Sequence, residues 1–311
     1  MDKTYDLIII GAGPASLSAA IYTTREDIST LILEKGVIGG MAAVTDKIDN
    51  YPGFSDGISG LNLAEELQKQ AERFGAQIDY DQVLNIKPLQ DGTIEVITQT
   101  TTYIAKSILI ATGTDYNKLQ IPGEEEYLSR GVHYCATCDG AFYRDKRIVV
   151  VGGGNSAIQE TLFLTRYASH IDLLVRSSIK ASDVLQKELQ SYVDAGKVTI
   201  HLNTTVKEIK GKEGLVNELV LNKGSKEVIQ KTDAIFIFVG LNPNTQFLKN
   251  SINLDKRGFV ITDTNLRTNI KGIFAAGDVR SGATMQIASA SGEGATAALK
   301  IREYLEGHLD F

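Results

Sequence analysis

Apolar runs that break on glycine begin two similar stretches of this chain. Asp6-Leu7-Ile8-Ile9-Ile10 is a short β-rich run leading into Gly11-Ala12-Gly13-Pro14-Ala15-Ser16. A helical pattern through Leu17, Ala20 and Ile21 follows, and then a second strand, Leu31-Ile32-Leu33, which ends on Glu34. The order restarts at Arg147-Ile148-Val149-Val150-Val151 and passes through Gly152-Gly153-Gly154-Asn155-Ser156-Ala157. A helix-like stretch to about Tyr167 and a strand at Ile171-Asp172-Leu173-Leu174-Val175 complete it. Segments 86–103 and 206–231 read as β meanders turning at Asp91-Gly92 and Lys223-Gly224. Near the carboxyl end, 272–278 reads as a short strand ending in Gly277-Asp278, and the Ala- and Gly-rich stretch from Gln286 and Ile287 onward is helix-compatible.

The strand–turn–helix–strand order, with Glu34 lying 23 positions past Gly11, is that of a dinucleotide-binding unit. Gly11 permits the tight turn, Gly13 lets backbone N–H groups approach a pyrophosphate, and Glu34 can accept from a ribose hydroxyl. Ser16 stands where the third glycine of the fingerprint would be, and its small side chain is expected to be tolerated there. In the second copy no acid follows the strand; Arg176, Ser177, Ser178 and Lys180 do. An acid favours a free 2′-hydroxyl, whereas these donors favour a 2′-phosphate, so the second site leans towards NADPH over NADH. Asp278 at a strand end suits a flavin's sugar-like chain, and a helix start near Gln286 suits charge on its pyrimidine edge. Ala111-Thr112-Gly113 and Leu241-Asn242-Pro243-Asn244 each follow an apolar strand and read as linkers. The expected fold is therefore α/β, with two Rossmann-like, three-layer (ββα) domains and the second inserted into the first. The outer domain takes 1–115 and 246–311, and the insert 116–245.

Composition narrows the picture. A length of 311 residues suggests about two domains, and 43% apolar with 23% charged residues is a globular composition. A net charge of -6 argues against broad attraction to nucleic acid or anionic lipid. No apolar run is long enough to span a bilayer. The opening MDKTYDLIIIGAG lacks the basic n-region of a signal peptide, so the cytoplasm is the expected location.

The chain has two cysteines, Cys135 and Cys138, in His133-Tyr134-Cys135-Ala136-Thr137-Cys138-Asp139-Gly140. Thiols at this spacing can close into a disulfide at a helix start, where the dipole and nearby N–H groups favour a thiolate. Asp139 could then shuttle protons to a leaving thiolate. A structural zinc site normally needs four ligands, and four histidines with no further cysteine supply them poorly, so no metal is expected. Asp139 excludes the CxxCH of a c-type haem. Redox use is the favoured reading, with inert buried thiols as its alternative.

These motifs together resemble the low-molecular-weight, bacterial-type thioredoxin reductases, flavoproteins of the pyridine nucleotide–disulfide oxidoreductase class. The resemblance runs through Gly11–Ala15, Gly39-Gly40, Asn50-Tyr51-Pro52-Gly53, Ala111–Gly113, the CATCDG stretch, Gly152–Ala157 and Gly277-Asp278-Val279. CATCDG is the most specific element, because it lies just before the second nucleotide motif. The resemblance implies FAD in the outer domain, a nicotinamide cofactor in the insert, a homodimer, and a thioredoxin-like protein as substrate. It implies that NADPH reduces the flavin and that the flavin reduces the Cys135–Cys138 disulfide. In that scheme Cys138 faces the flavin, Cys135 attacks the substrate disulfide, and Asp139 is the acid/base. The FAD site would comprise Gly11, Gly13, Pro14, Ala15, Glu34, Lys35, Gly40, Met41, Asn50, Ala111, Thr112, Gly113, Gly277, Asp278, Gln286 and Ile287. The nicotinamide site would comprise Gly154, Asn155, Ser156, Arg176, Ser177 and Lys180. A rotation of the insert is also implied, with 112–117 and 241–245 as candidate hinges.

Three departures bear on the electron donor. The family commonly carries His-Arg-Arg and a further Arg for the 2′-phosphate, whereas this chain reads Val175-Arg176-Ser177-Ser178-Ile179-Lys180. Met41 replaces the usual Gln after the paired glycines, and Met285 the usual Arg before Gln286. NADH or reduced ferredoxin thus stand as alternative donors for the same dithiol chemistry. A second alternative is a nucleotide-responsive redox sensor without turnover.

Overall fold

The structure, a computed structural model, describes residues 3–45, 47–248 and 251–309. The chain divides into two compact units, one of residues 1–115 and 242–311 and the other of residues 116–241.

In the first unit, β1 (Lys3–Ile10) leads into α1 (Pro14–Thr24) and β2 (Thr30–Glu34). Pro14 sits in the first turn of α1, where its missing N–H costs nothing and its fixed φ suits the helix. Next come α2 (Gly60–Arg73), β3 (Gln77–Tyr80), β4 (Val83–Pro88), β5 (Ile94–Thr98) and β6 (Thr102–Ile110). Ser59 caps α2 by accepting the Asn62 N–H at 3.2 Å. The short strand β7 (Thr114–Tyr116) carries the chain into the second unit.

That unit opens with β8 (Val132–His133), the one-turn helix α3 (Ala136–Asp139) and a 3₁₀ turn over Gly140–Tyr143. It continues with β9 (Arg147–Val151), α4 (Asn155–Leu164), β10 (His170–Val175), α5 (Asp183–Asp194) and β11 (Val198–Leu202). The meander β12 (Thr204–Lys212), β13 (Leu215–Lys223) and β14 (Lys226–Lys231) follows, then β15 (Ala234–Ile237). The chain leaves through β16 (Leu241–Pro243) and completes the first unit with β17 (Ile273–Ala275) and α6 (Ile287–Leu305).

The parallel core of the first sheet runs β3-β2-β1-β6, with β17 beside the second half of β6 and β5 antiparallel to its first half. Alternation along β1 builds two cores, as a period of two requires. Leu7 and Ile9 pack towards α1 and α6 with Leu17, Ala20, Ala297 and Ile301. Ile8 and Ile10 pack towards the β4–β5 meander with Ile86, Ile94 and Val96. The second unit repeats the scheme on a β11-β10-β9-β15-β8 sheet. Val150 and Leu173 face Ile158 and Leu164 of α4, while Val149 and Leu174 face Val206 and Leu219 of the meander. Both units are therefore the expected three-layer arrangement of helices, parallel sheet and β meander.

The second passage between units falls between Leu241 and Asn242, four residues before the boundary expected from the sequence. Hydrogen bonds hold 242–245 to the outer unit: the Asn244 N–H donates to the Gly113 carbonyl at 3.1 Å, and the Thr112 hydroxyl donates to the Asn244 carbonyl at 2.7 Å. Among the described residues, no helix is long and apolar enough to cross a membrane.

Candidate functional site

Strand register in the first unit brings the predicted residues to one end of the sheet. Ile10 pairs with Leu33 and with Ile110, and Ile110 with Ala275, so Gly11, Glu34, Ala111 and Ala276 emerge together at the carboxyl ends of four parallel strands. Ligands of open α/β sheets bind at that end. Gly11 has φ +98, and a Cβ there would meet the Ala111 carbonyl oxygen at 2.6 Å, so no other residue fits this turn. Gly13, at the N-cap of α1, is different. Its φ is -77, and a Cβ built on it meets nothing within 4 Å. Space therefore lies open in front of the free N–H groups of a helix start, as a pyrophosphate requires. Gly40 borders the same space, its Cβ direction lying 3.8 Å from the Gly13 Cα.

The Glu34 carboxylate accepts the Ala12 N–H and the Gly36 N–H, each at 2.7 Å. Each oxygen keeps a second lone pair, so the acid is oriented yet still able to receive a hydroxyl. The third-glycine position behaves as expected for a small residue: Ser16 is fully buried, although its hydroxyl has no hydrogen-bond partner among the described residues. Close approach is supplied from the opposite helix, where a Cβ on Gly294 of α6 would lie 2.1 Å from the Ala15 carbonyl oxygen. Gly277 abuts Ala15, and its N–H donates to Glu293 at 2.7 Å. Glu293 is also paired with Arg280, whose guanidinium reaches Thr262 as well. Burial, helped by the charge of Glu293, pushes the neighbouring Asp278 carboxyl up to about 6. Asn50 donates to Gln286 at 3.1 Å, joining two further predicted residues, and Gln286 is the N-cap of α6 with Ile287 its first residue. Lys35 and Met41 are exposed.

The glycine turn of the second unit is built alike. A Cβ on Gly152 (φ +145) would meet the Phe238 carbonyl oxygen at 2.4 Å, whereas one on Gly154, the N-cap of α4, would meet nothing within 4 Å. The basic loop lies against this turn. The Lys180 N–H donates to the Gly153 carbonyl at 2.6 Å, and Asn155 accepts the Ser182 N–H at 2.8 Å. Arg176, Ser177 and Lys180 are exposed beside it, as is Ser156. The donor set suits a phosphate-bearing nucleotide.

Cys135 and Cys138 are disulfide-bonded with Cα atoms 5.3 Å apart. Cys135 is the extended N-cap of α3, which is a single turn, so the dipole expected from the sequence is small. One local donor is present: the Cys138 N–H points at the Cys135 Sγ at 3.2 Å. Gly140 follows Asp139 because a Cβ there would lie 2.7 Å from the Leu164 Cδ2. One tight turn is thus packed onto α4.

His133 and Tyr143 were given no role from the sequence, though His133 opens the motif two residues before Cys135. Its Nδ1 lies 3.1 Å from Asp139 Oδ2, and its Nε2 lies 2.7 Å from the Tyr143 hydroxyl. The ring is 5% exposed and stacks on Phe236 with centroids 5.1 Å apart. Burial, then the charges of Asp139 and Asp233, pushes the Tyr143 phenol up to about 12, so it is a neutral donor. The network therefore assigns the tautomer: Tyr143 donates to Nε2, and Nδ1–H donates to Asp139. Glu293 and Arg280 were also missed, because a pair 13 residues apart on different elements leaves no periodic signal. Among the described residues no group of three or more His, Cys, Asp or Glu could hold a metal ion.

Residues 5–294 match the family described as pyridine nucleotide-disulphide oxidoreductase. The chain is 43% identical over 310 residues to the thioredoxin reductase of Listeria monocytogenes, covering 98% of this chain and 95% of that one. It is 40% identical over 310 residues to the thioredoxin reductase of Bacillus subtilis, covering 98% and 96%. Among solved structures it is similar to thioredoxin reductase from Streptococcus pyogenes, with a TM-score of 0.93 and 40% identity over 99% of this chain and 100% of that one.

Proposed function

This chain belongs to the pyridine nucleotide-disulphide oxidoreductases, and from that premise we propose that it is a flavin-dependent thioredoxin-disulfide reductase, drawing on NADPH through FAD and the Cys135–Cys138 pair. The observation that carries the reading is the disulfide on a one-turn helix next to Asp139, in a chain with two separate glycine turns open for pyrophosphate. Thioredoxin reductases at about this identity along nearly the whole chain support the protein substrate. When bound, the two dinucleotides supply a hydride from the nicotinamide to the flavin and an electron pair from the flavin to the disulfide.

The chain's own residues do the rest. Gly13 and the start of α1 receive the FAD pyrophosphate, Glu34 a ribose hydroxyl, and Asp278 the sugar-like chain. Gly154 and the start of α4 receive the nicotinamide dinucleotide, with Arg176 and Lys180 on its 2′-phosphate. Cys135 is taken as the attacking thiol on the resemblance to the family, and the Cys138 N–H that points at its sulfur supports this reading, since such a donor would favour a thiolate there. Asp139 exchanges the protons. The chain works as a homodimeric cytoplasmic enzyme.

One observation favours a second donor. Ser177 and Ser178 occupy the loop where a further arginine would strengthen phosphate binding, so NADH or reduced ferredoxin is the competing electron source. Anaerobic stopped-flow reduction of the flavin by NADPH, NADH and reduced ferredoxin, followed by oxidised thioredoxin, tests both. Rapid bleaching by micromolar NADPH and recolouring by thioredoxin are expected. Bleaching without turnover of any thioredoxin-like protein leaves the sensor reading and overturns this one.

A further inference from the structure

We propose that His133 is a positioning residue for disulfide exchange, holding the Asp139 carboxylate by one oxygen so that the other carries the exchanged proton. The inference rests on the reading of Asp139 as proton donor to the Cys135–Cys138 pair.

The geometry is specific. Nδ1–H of His133 donates to Asp139 Oδ2 at 3.1 Å, and the ring cannot swing away, because Tyr143 holds Nε2 at 2.7 Å and Phe236 stacks on its face. Its backbone is fixed as well, since His133 pairs with Phe236 across β8 and β15. Asp139 Oδ2 can accept from Nδ1–H whether the acid is ionised or neutral, which leaves Oδ1 as the oxygen that gains and loses a proton. Three side chains within eleven residues, on the end of β8, on α3 and on the 3₁₀ turn after it, thus form one hydrogen-bonded line that runs from half-buried Tyr143 through buried His133 to half-buried Asp139, the acid next to Cys138.

The chemistry gives that acid work to do. The Cys135 thiolate attacks one sulfur of a substrate disulfide, forming a mixed disulfide and expelling the other sulfur as a thiolate with the bonding pair. The Cys138 thiolate then attacks the Cys135 sulfur, re-forming the internal disulfide and expelling the second thiolate. The cysteine pair is oxidised by two electrons and the substrate disulfide reduced by two. Each proton given up by a cysteine thiol passes through Asp139 to a leaving thiolate. A leaving thiolate of high pKa needs that proton, whereas an aromatic thiolate of low pKa leaves without it.

This difference supplies the test. The flavin-containing chain is reduced with dithiothreitol, desalted, and mixed with hydroxyethyl disulfide or with dithiobis(nitrobenzoic acid), and the loss of cysteine thiols is timed. His133→Phe keeps the stacked ring and is expected to slow exchange with the alkyl disulfide at least tenfold, with the aromatic disulfide within twofold of wild type. His133→Asn restores an N–H near the Nδ1 position and should return the alkyl rate to within about threefold. Tyr143→Phe, which frees Nε2 without altering the core, should slow only the alkyl reaction, by a few fold. Equal losses on both disulfides, or an unchanged alkyl rate, overturn the proposal. If Asp139→Asn loses the alkyl rate while His133→Phe keeps it, the inference about His133 falls and the reading of Asp139 stands. If Asp139→Asn also keeps it, the reading of Asp139 falls and takes the inference with it.

Discussion

The backbone N–H of Lys180 donates to the carbonyl of Gly153 at 2.6 Å, fastening the basic loop of the second unit to its glycine turn. Residues that follow two different strands are therefore held side by side, where one ligand could meet both. If that ligand carries a 2′-phosphate, Arg176 supplies a charged hydrogen bond worth roughly 1.5–3 kcal/mol. Arg176→Ala should then weaken NADPH by about one to two powers of ten and leave NADH nearly unchanged. Flavin-reduction titrations with both nucleotides check this, and equal losses for the two would remove Arg176 from the phosphate site.

Gly11 and Gly13 should separate folding from cofactor binding. Gly11→Ala forces a side chain into φ +98 and onto the Ala111 carbonyl at 2.6 Å, so the chain should lose several degrees in Tm with or without flavin. Gly13→Ala meets no protein atom within 4 Å. The apoprotein should therefore melt within a degree or two of wild type, while FAD affinity falls at least tenfold. Calorimetry and fluorescence titration with FAD distinguish the two cases.

Asp278 predicts a pH dependence whose sign is fixed by its environment. Its carboxyl titrates at about 6 in the folded chain, above the ordinary carboxylate range, so between about pH 4 and 6 the folded state binds more protons than the unfolded one. Its contribution to apoprotein stability is full below pH 4 and is lost as pH rises through 6. A flavin hydroxyl donating to the ionised form would reverse the preference, so FAD affinity should increase from pH 5 to 7. Asp278→Asn should flatten both profiles in denaturation and binding titrations.

The two cysteines should differ in trapping. Cys138→Ser leaves Cys135 able to attack but unable to resolve, so a stable mixed disulfide with oxidised thioredoxin should appear by mass. Cys135→Ser should give none. A trap formed by Cys135→Ser would exchange the assigned roles.

Much of this molecule was legible along the chain because its information is local. Continuous apolar strands, a glycine where φ is positive and, in the first unit, an acid at the end of the next strand are all set within about 25 residues, so both Rossmann-like units and the cysteine pair could be read directly. The small residue required at Ser16 was legible too. What it packs against was not, since Gly294 reaches Ala15 from a helix nearly 280 residues away. The boundary near residue 242 was likewise misplaced, because Thr112 and Asn244 are joined only after the chain has travelled through the whole second unit.

The sequence by itself determined the fold class, the insertion of one unit in the other, and the redox pair, since periodicity, turn chemistry and spacing specify each of these at short range. Only the tertiary structure decided which acid holds which donor. Glu34 turns its carboxylate onto the Ala12 N–H, Glu293 takes both Arg280 and the Gly277 N–H, and His133 fixes Asp139. Buried polar groups must find partners wherever the packing brings them. That requirement acts through distance in space, which spacing along a chain does not encode.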